Sequence, residues 1–331
     1  MSGNAHAVDT ASYDEGDLVA GIDIGGTKIA VLVTGADGSV LARGVVSAPA
    51  QEGGAAMADV AAELTRDLVS RVGGRLRAAG AGAAGVVDPV DGTILAASAM
   101  FTDWVGFGLA AALTDRLGVP VAVENDVNAF LLGEVAAGAG HGSDVLGVML
   151  GTGVGGALVL DGALRHGPNG AAGEIGHTPG YSDRVCTCGQ IGHLETLASG
   201  TSIALRYGEL SGATGLDGAE VAELARGGDA DAIAVFHDAG RAVALACASA
   251  ATLVDLDVAV IGGGVSHAWD LLEPAITATL QTDAPVSGAP LRIIPAALGS
   301  DAVALGAAAA ARSRALSFLE PSLSVGSRPT A

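Results

Sequence analysis

Lysine is almost missing from this chain. Fifteen of its 16 basic residues are arginine, and the exception is Lys28, directly after Gly25-Gly26-Thr27. Basic charge is scarce altogether: 36 acidic residues against 16 Lys and Arg leave a formal net charge of −20. Nucleic-acid affinity comes mostly from Lys and Arg on phosphates, so this balance argues against nucleic-acid binding by the chain alone. Aromatics make up 3% of the residues, so a core must be built from small aliphatic side chains; half the residues are hydrophobic, enough for a sizeable one. A long apolar run is also lacking. The longest, Ala242 to Val254, is too short for a bilayer and is followed by Asp255 and Asp257. No charged-then-apolar leader opens the chain. With three cysteines and no leader, the chain reads as cytoplasmic, and closely spaced cysteines suggest a metal before a disulfide.

Length supplies a prior of two domains, 331 residues being about twice an ordinary one. Residues 1–17 are polar and acidic and, like 313–331, read as disordered tails. Leu18 to Ile24, Lys28 to Thr34 and Val40 to Val46 are apolar runs, the last two separated by Gly35-Ala36-Asp37-Gly38, as in an antiparallel meander. The spacing of Met57, Val60, Leu64, Leu68 and Val72 predicts a helix over Ala55 to Ala79, followed by a strand over Ala81 to Val87. A helix over Leu109 to Leu117, a strand over Val119 to Val123 and a helix capped by Asn125 and Asp126 come next. Near residue 145 the opening pattern returns: apolar run, Gly151-Thr152-Gly153-Val154-Gly155-Gly156, apolar run. This weak repeat suggests two domains of similar topology with glycine-rich hairpins facing one cleft. A helix over Ala232 to Leu253, a strand over Val258 to Ile261 and an Ala-rich helix after Gly299 close the chain.

Four segments carry chemistry. In Asp23-Ile24-Gly25-Gly26-Thr27-Lys28, glycines allow backbone N–H groups to approach a phosphate, and Thr27 and Lys28 add donors; a plain hairpin turn reads the same way. It is not the P-loop spacing. The turn over Gly151 to Gly156 bears no charge, so its donors are backbone N–H and the Thr152 hydroxyl. Glu124-Asn125-Asp126 ends a strand and opens a helix, where open α/β sheets bind ligands. Asp126 is either a helix cap or a general base taking a hydroxyl proton while Asn125 holds a neighbouring hydroxyl. Lastly, His177, Cys186, Cys188 and His193 lie within 17 residues in a Gly-containing loop over 173–195. Two thiolates and two imidazoles suit a closed tetrahedral zinc site. Cys247, alone in an Ala-rich helix, reads as core.

Taken together, these segments resemble the ROK family of bacterial sugar kinases and regulators, over about residues 18–312. The resemblance implies an α/β fold of two domains, the actin-like (ribonuclease H-like) ATPase architecture with its active site in the interdomain cleft. The smaller domain would comprise 18–124 plus 299–312, and the larger 125–298. It implies ATP-dependent phosphorylation of a hexose with Asp126 as base, and Asn125, Glu174, His177 and Glu195 on the other hydroxyls. Asp23, Gly25, Gly26, Thr27, Lys28, Thr152 and Gly153 would face the ATP phosphates with Mg²⁺ between, and Gly262 and Gly263 the adenosine. His177, Cys186, Cys188 and His193 would hold a structural Zn²⁺. The family also suggests a homodimer.

Two departures stand out. The family's zinc loop, Cys-x-Cys-Gly-x-x-Gly-Cys, ends here in His193. Its glucose kinases carry Asn-Leu-Pro-Gly-Trp over the sugar, where this chain has Ser98-Ala99-Met100-Phe101-Thr102-Asp103-Trp104. The Asn is absent, Asp103 is a candidate substitute, and glucose, fructose, mannose, allose and N-acetylhexosamines all stay open. Family regulators carry an N-terminal helix-turn-helix domain, for which the 17 residues before the first strand leave no room. A non-catalytic sugar sensor would not need both Asp126 and Lys28. A polyphosphate-dependent glucokinase would generally lack the cysteine loop, and the acidic charge disfavours a long polyanion.

Overall fold

The computed structural model describes residues 13–140 and 144–319. Strands β1 (Asp17–Ile24), β2 (Lys28–Thr34) and β3 (Val40–Ser47) form an antiparallel meander. Helix α1 (Gly54–Val72) leads to β4 (Arg75–Ala83), parallel to β1. A small hairpin, β5 (Val86–Val87) and β6 (Ile94–Ala96), and helix α2 (Leu109–Leu117) precede β7 (Val121–Asn125), parallel to β4. The sheet order is β3-β2-β1-β4-β7. Position explains burial: central β1 is almost wholly buried, whereas edge strand β3 alternates between covered and wet residues.

Helix α3 (Asp126–Ala136) then opens a second pass through the same design. Strands β8 (Val145–Leu150), β9 (Val154–Leu160) and β10 (Ala163–Leu164) form the meander. Helices α4 (Glu195–Ala198), α5 (Gly200–Ser211), α6 (Gly218–Arg226) and α7 (Ala230–Val254) intervene before β11 (Val258–Gly262), parallel to β8. Helix α8 (Trp269–Thr282), strand β12 (Arg292–Pro295) and helix α9 (Ala302–Leu319) complete the fold, with sheet order β10-β9-β8-β11-β12. The repeat anticipated at the two glycine-rich turns thus extends to every strand pairing of the two sheets.

Helix α9 follows the second sheet but packs on the first, against β1 and β4, and along α3. Only glycine permits this approach. A Cβ on Gly21 would stand 1.8 Å from the Ala304 carbonyl oxygen, one on Gly80 1.8 Å from that of Ala307, and one on Gly306 1.7 Å from that of Ala129. Helix α7 is, among the described residues, the one long and apolar enough to cross a membrane; its apolar side chains lie in the larger core with Phe236, Val243 and Cys247.

Several expectations are corrected. The helix foreseen to residue 79 ends at Val72, where Gly73 and Gly74 take φ of 72° and 138°, and Arg75–Ala83 is a strand. The strand foreseen over 81–87 is the end of β4, a bend at Gly85 and β5. The boundary at residue 17 cuts into β1: Asp17 is buried and accepts two hydrogen bonds from Arg75 at 2.9 and 3.0 Å. The boundary at 313 cuts through α9. The remaining parts of both expected tails, 1–12 and 320–331, lie outside the described residues.

Candidate active site

The junction of β7 and α3 separates two roles that the sequence left merged. The cap of α3 is Asn125, whose Oδ1 accepts from the N–H groups of Val127 at 2.9 Å and Asn128 at 3.2 Å. Its Nδ2 donates to the Gly85 carbonyl at 2.8 Å. One amide N–H of Asn125 is left for a ligand. Asp126 is thereby free of capping duty; its carboxylate accepts from the Val127 N–H at 3.0 Å. Burial, then the charge of Asp23, push the Asp126 carboxyl up to about 7; the Val127 N–H opposes the rise and Glu174 adds to it.

The first glycine turn joins β1 to β2, the Gly25 N–H donating to the Lys28 carbonyl at 3.1 Å. Thr27 and Lys28 are exposed, and among the described residues Lys28 makes no ion pair. Burial raises Asp23 to about 6 against the opposing charge of Lys28. A Cβ on Gly26 would stand 2.5 Å from Met100 Sδ, so the segment over 98–104 folds onto this turn. Its anchor is Trp104, buried, stacked between Phe101 and Phe107 and donating to the Ala84 carbonyl at 3.0 Å. Asp103 is exposed at φ 45°.

The second turn, between β8 and β9, touches three things at once. Thr152 lines a cleft of about 1140 Å³. A Cβ on Gly153 would stand 2.6 Å from Glu195 Oε2, and one on Gly155 2.6 Å from Val127 in the first turn of α3. The cleft is walled by the N-termini of α5 and α6, including Gly200, Thr201 and Gly218, and by Leu205, Leu216 and His267. Helix N-termini favour anions, and the apolar wall suits a flat ring. Gly262 and Gly263 do not line this cleft. Gly262 is pressed on the Phe130 ring and Gly263 on the Leu150 backbone, and the lining there comes from Gly264, Val265, His267 and Ala268.

The loop over 173–195 brings its four foreseen side chains together. One potential ligand atom from each of His177, Cys186, Cys188 and His193 lies within 4.8 Å of all the others. His177 Nδ1 is 3.3 Å from His193 Nδ1 and 3.7 Å from Cys186 Sγ, and Cys188 Sγ is 3.3 Å from His193 Nδ1. Ligands of a tetrahedral zinc ion stand about 3.3–3.8 Å apart; these three separations match that spacing, and the donor set of two thiols and two imidazoles suits such an ion. Glu195 is nearly buried; its Oε2 accepts from the Val154 N–H at 3.0 Å and its Oε1 from the Thr187 hydroxyl at 2.7 Å. Glu174 is exposed at the same end. Thr187 went unnoticed as the variable residue between Cys186 and Cys188, and the cleft wall because it forms no local motif. Cys247 is buried in α7, which pushes its thiol up to about 12, and is core as expected.

The model of the ROK family matches residues 19–314. The chain belongs to the ROK family. A curated glucokinase of Halalkalibacterium halodurans is 34% identical over 314 residues, covering 86% of this chain and 92% of that protein. Among solved structures, a ROK hexokinase from Thermus thermophilus superposes with a TM-score of 0.77 at 33% identity, over 91% of this chain and 99% of that one. A ROK-family glucokinase from Streptomyces griseus, in complex with glucose and AMPPNP, gives a TM-score of 0.73 at 33% identity, over 89% and 99%. The twice-repeated α/β sheet of this ROK protein is the two-domain actin-like ATPase fold.

Proposed function

We infer that this ROK protein is an ATP-dependent sugar kinase that phosphorylates a hexose hydroxyl, with Asp126 as general base. The observation that carries the reading is a carboxylate relieved of capping by Asn125 and poised near 7 between the two glycine turns. In the reaction the hydroxyl proton passes to Asp126 as the sugar oxygen bonds to the γ-phosphorus. The bond from that phosphorus to the β-phosphate oxygen breaks, and ADP leaves. Such transfer needs positioning and charge neutralisation above all. Asp23, Gly25, Gly26, Thr27 and Lys28 would face the phosphates from one side, Thr152 and Gly153 from the other. Mg²⁺ bound with ATP would supply charge neutralisation there. The adenosine would lie in the 1140 Å³ cleft against Gly264 to Ala268, directly after Gly262 and Gly263. Glu174, His177, Glu195 and the spare N–H of Asn125 would hold the remaining sugar hydroxyls.

His177, Cys186, Cys188 and His193 would hold a structural Zn²⁺, four protein ligands leaving no position for a reactive water. A cytoplasmic setting follows from thiolate ligands that need a reducing compartment, and a homodimer from the family likeness. The two lobes would be 18–124 with 299–312, and 125–298, with their ends adjusted to β1 and α9. The decisive test is ADP release over a panel of hexoses, with ATP and polyphosphate as donors. Turnover with ATP is expected; no turnover on any hexose, or turnover with polyphosphate alone, overturns the reading.

Lys28→Ala should raise the KM for ATP roughly tenfold or more, the loss of one charged hydrogen bond, and leave the KM for sugar within about twofold. Steady-state kinetics in both substrates checks this. A loss confined to sugar affinity would reverse the assignment of the two turns.

A further inference from the structure

Glu124 belongs to the Glu124-Asn125-Asp126 triplet, yet the phosphoryl-transfer scheme gives it nothing to do. It is buried, which an unpartnered carboxylate would not tolerate. Among the described residues its one hydrogen-bond partner is His166, whose Nε2 lies 2.8 Å from Glu124 Oε2. The partners come from different halves of the molecule. Glu124 sits at the end of β7 in the first sheet, and His166 follows β10 in the second.

His166 opens a closed loop. Its carbonyl accepts from the Ala172 N–H at 3.1 Å, which ties the start of the loop to its end. Midway, Gly170 is pressed on the first half again: a Cβ there would stand 3.3 Å from the Val87 carbonyl oxygen of β5. At its exit Gly173 returns to β9, where a Cβ would lie 2.8 Å from the Gly156 carbonyl oxygen. The next residue is Glu174. Chain carrying a sugar-facing carboxylate is therefore fastened, through His166, to the strand that ends in Asn125 and Asp126.

We propose that the Glu124–His166 pair is a positioning clamp, which fixes the loop leading to Glu174 against the strand end bearing Asn125 and Asp126 and so sets the spacing of the hexose from its base. The proposal rests on the kinase reading of the site. The hydrogen bond to Glu124 raises the imidazole's pKa; partial burial opposes this, the Glu124 charge adds to the rise, and Arg314 on α9 opposes it. A raised imidazole pKa means that the charged clamp is complete below the ordinary histidine pKa, and is lost as pH rises through the raised value.

The test compares wild type with His166→Ala, His166→Gln and Glu124→Gln in two readouts. Hydrogen exchange of 166–174 reads the clamp without reference to activity. Kinetics reads its use. In His166→Ala, exchange over 166–174 should speed up, and the KM for hexose should rise about tenfold or more with the KM for ATP little changed. His166→Gln, which can still donate to Glu124, should recover most of that loss and flatten the alkaline rise in hexose KM. Glu124→Gln should flatten it too. Unchanged exchange in His166→Ala, or faster exchange with unaltered hexose kinetics, overturns the clamp while leaving the kinase intact. A wild type inert towards every hexose overturns the kinase reading and the clamp with it.

Discussion

Asp126→Asn should lower turnover by about a hundredfold or more, the ordinary contribution of a positioned general base, and should leave fold and sugar affinity in place. The substitution is clean because the cap of α3 is Asn125, not Asp126. An amide at 126 still offers an oxygen to the Val127 N–H, so the local geometry has no reason to move. What is lost is the ability to take a proton. The pH profile carries the same assignment. With its carboxyl pushed up to about 7, wild-type kcat/KM should climb as pH rises through that value and level off above it. Stability runs the other way. A carboxyl raised from 3.8 to about 7 in the folded protein contributes stability that is whole below 3.8 and lost as pH rises through 7. Asp126→Asn should therefore gain stability relative to wild type in alkaline solution. Rapid-quench turnover and thermal melts across pH 5 to 9, a range spanning about two units either side of the value at issue, check both halves. Near-wild-type turnover in Asp126→Asn would remove Asp126 from the chemistry.

Stripping the metal from the loop over 173–195 should raise the KM for sugar roughly tenfold or more, the order seen when support around metal ligands is lost, and lower the melting temperature. Apolar packing does little to fix the loop's tip, where Cys188, Val185 and Ile191 are exposed; it is held by short backbone hydrogen bonds, such as Cys186 N–H to the Gln190 carbonyl at 2.7 Å and Tyr181 N–H to the Gly192 carbonyl at 2.9 Å. Glu195 lies two residues after His193 and accepts the Val154 N–H, so slackening the tetrad also slackens the second glycine turn. The first turn, with Lys28, is on another sheet. ATP affinity should consequently suffer less than sugar affinity. His193→Cys should keep the ion and His193→Ala lose affinity for it. Elemental analysis and calorimetry with sugar decide the matter. A well-folded active enzyme without zinc, or a Cys186→Ser/Cys188→Ser variant with normal sugar affinity, contradicts the assignment.

The places of both glycine turns, of the triplet at 124–126 and of the His177, Cys186, Cys188 and His193 cluster were legible because each lies in a short run of the chain. The duplicated architecture was legible from the turns alone. Other features depend on distant packing. Ala78 and Ala79 fall at the end of the foreseen helix and become strand by pairing with Val19 and Ala20 of β1. The need for glycine at 262 and 263 is likewise set from elsewhere in the chain, since side chains there would meet Phe130 and Leu150. Glu195 meets Val154 across 41 residues and Glu124 meets His166 across 42, separations that no motif scan bridges. Asn125 and Asp126 are equally plausible caps on paper; the hydrogen-bond geometry at one residue separates them.

The lodging of α9 on β1 and β4 bears on how the protein is made. Gly21 and Gly80 leave the ribosome long before the Ala304 and Ala307 backbones that cover them. Synthesis runs from the N-terminus, and bringing such remote segments together carries a loop-closure cost. The first sheet therefore has to wait, with β1 and β4 lacking their α9 cover, until the whole second sheet has been made. A chain cut before Ala302 would leave the first lobe unfinished, with the β1 and β4 surface that α9 covers open to water.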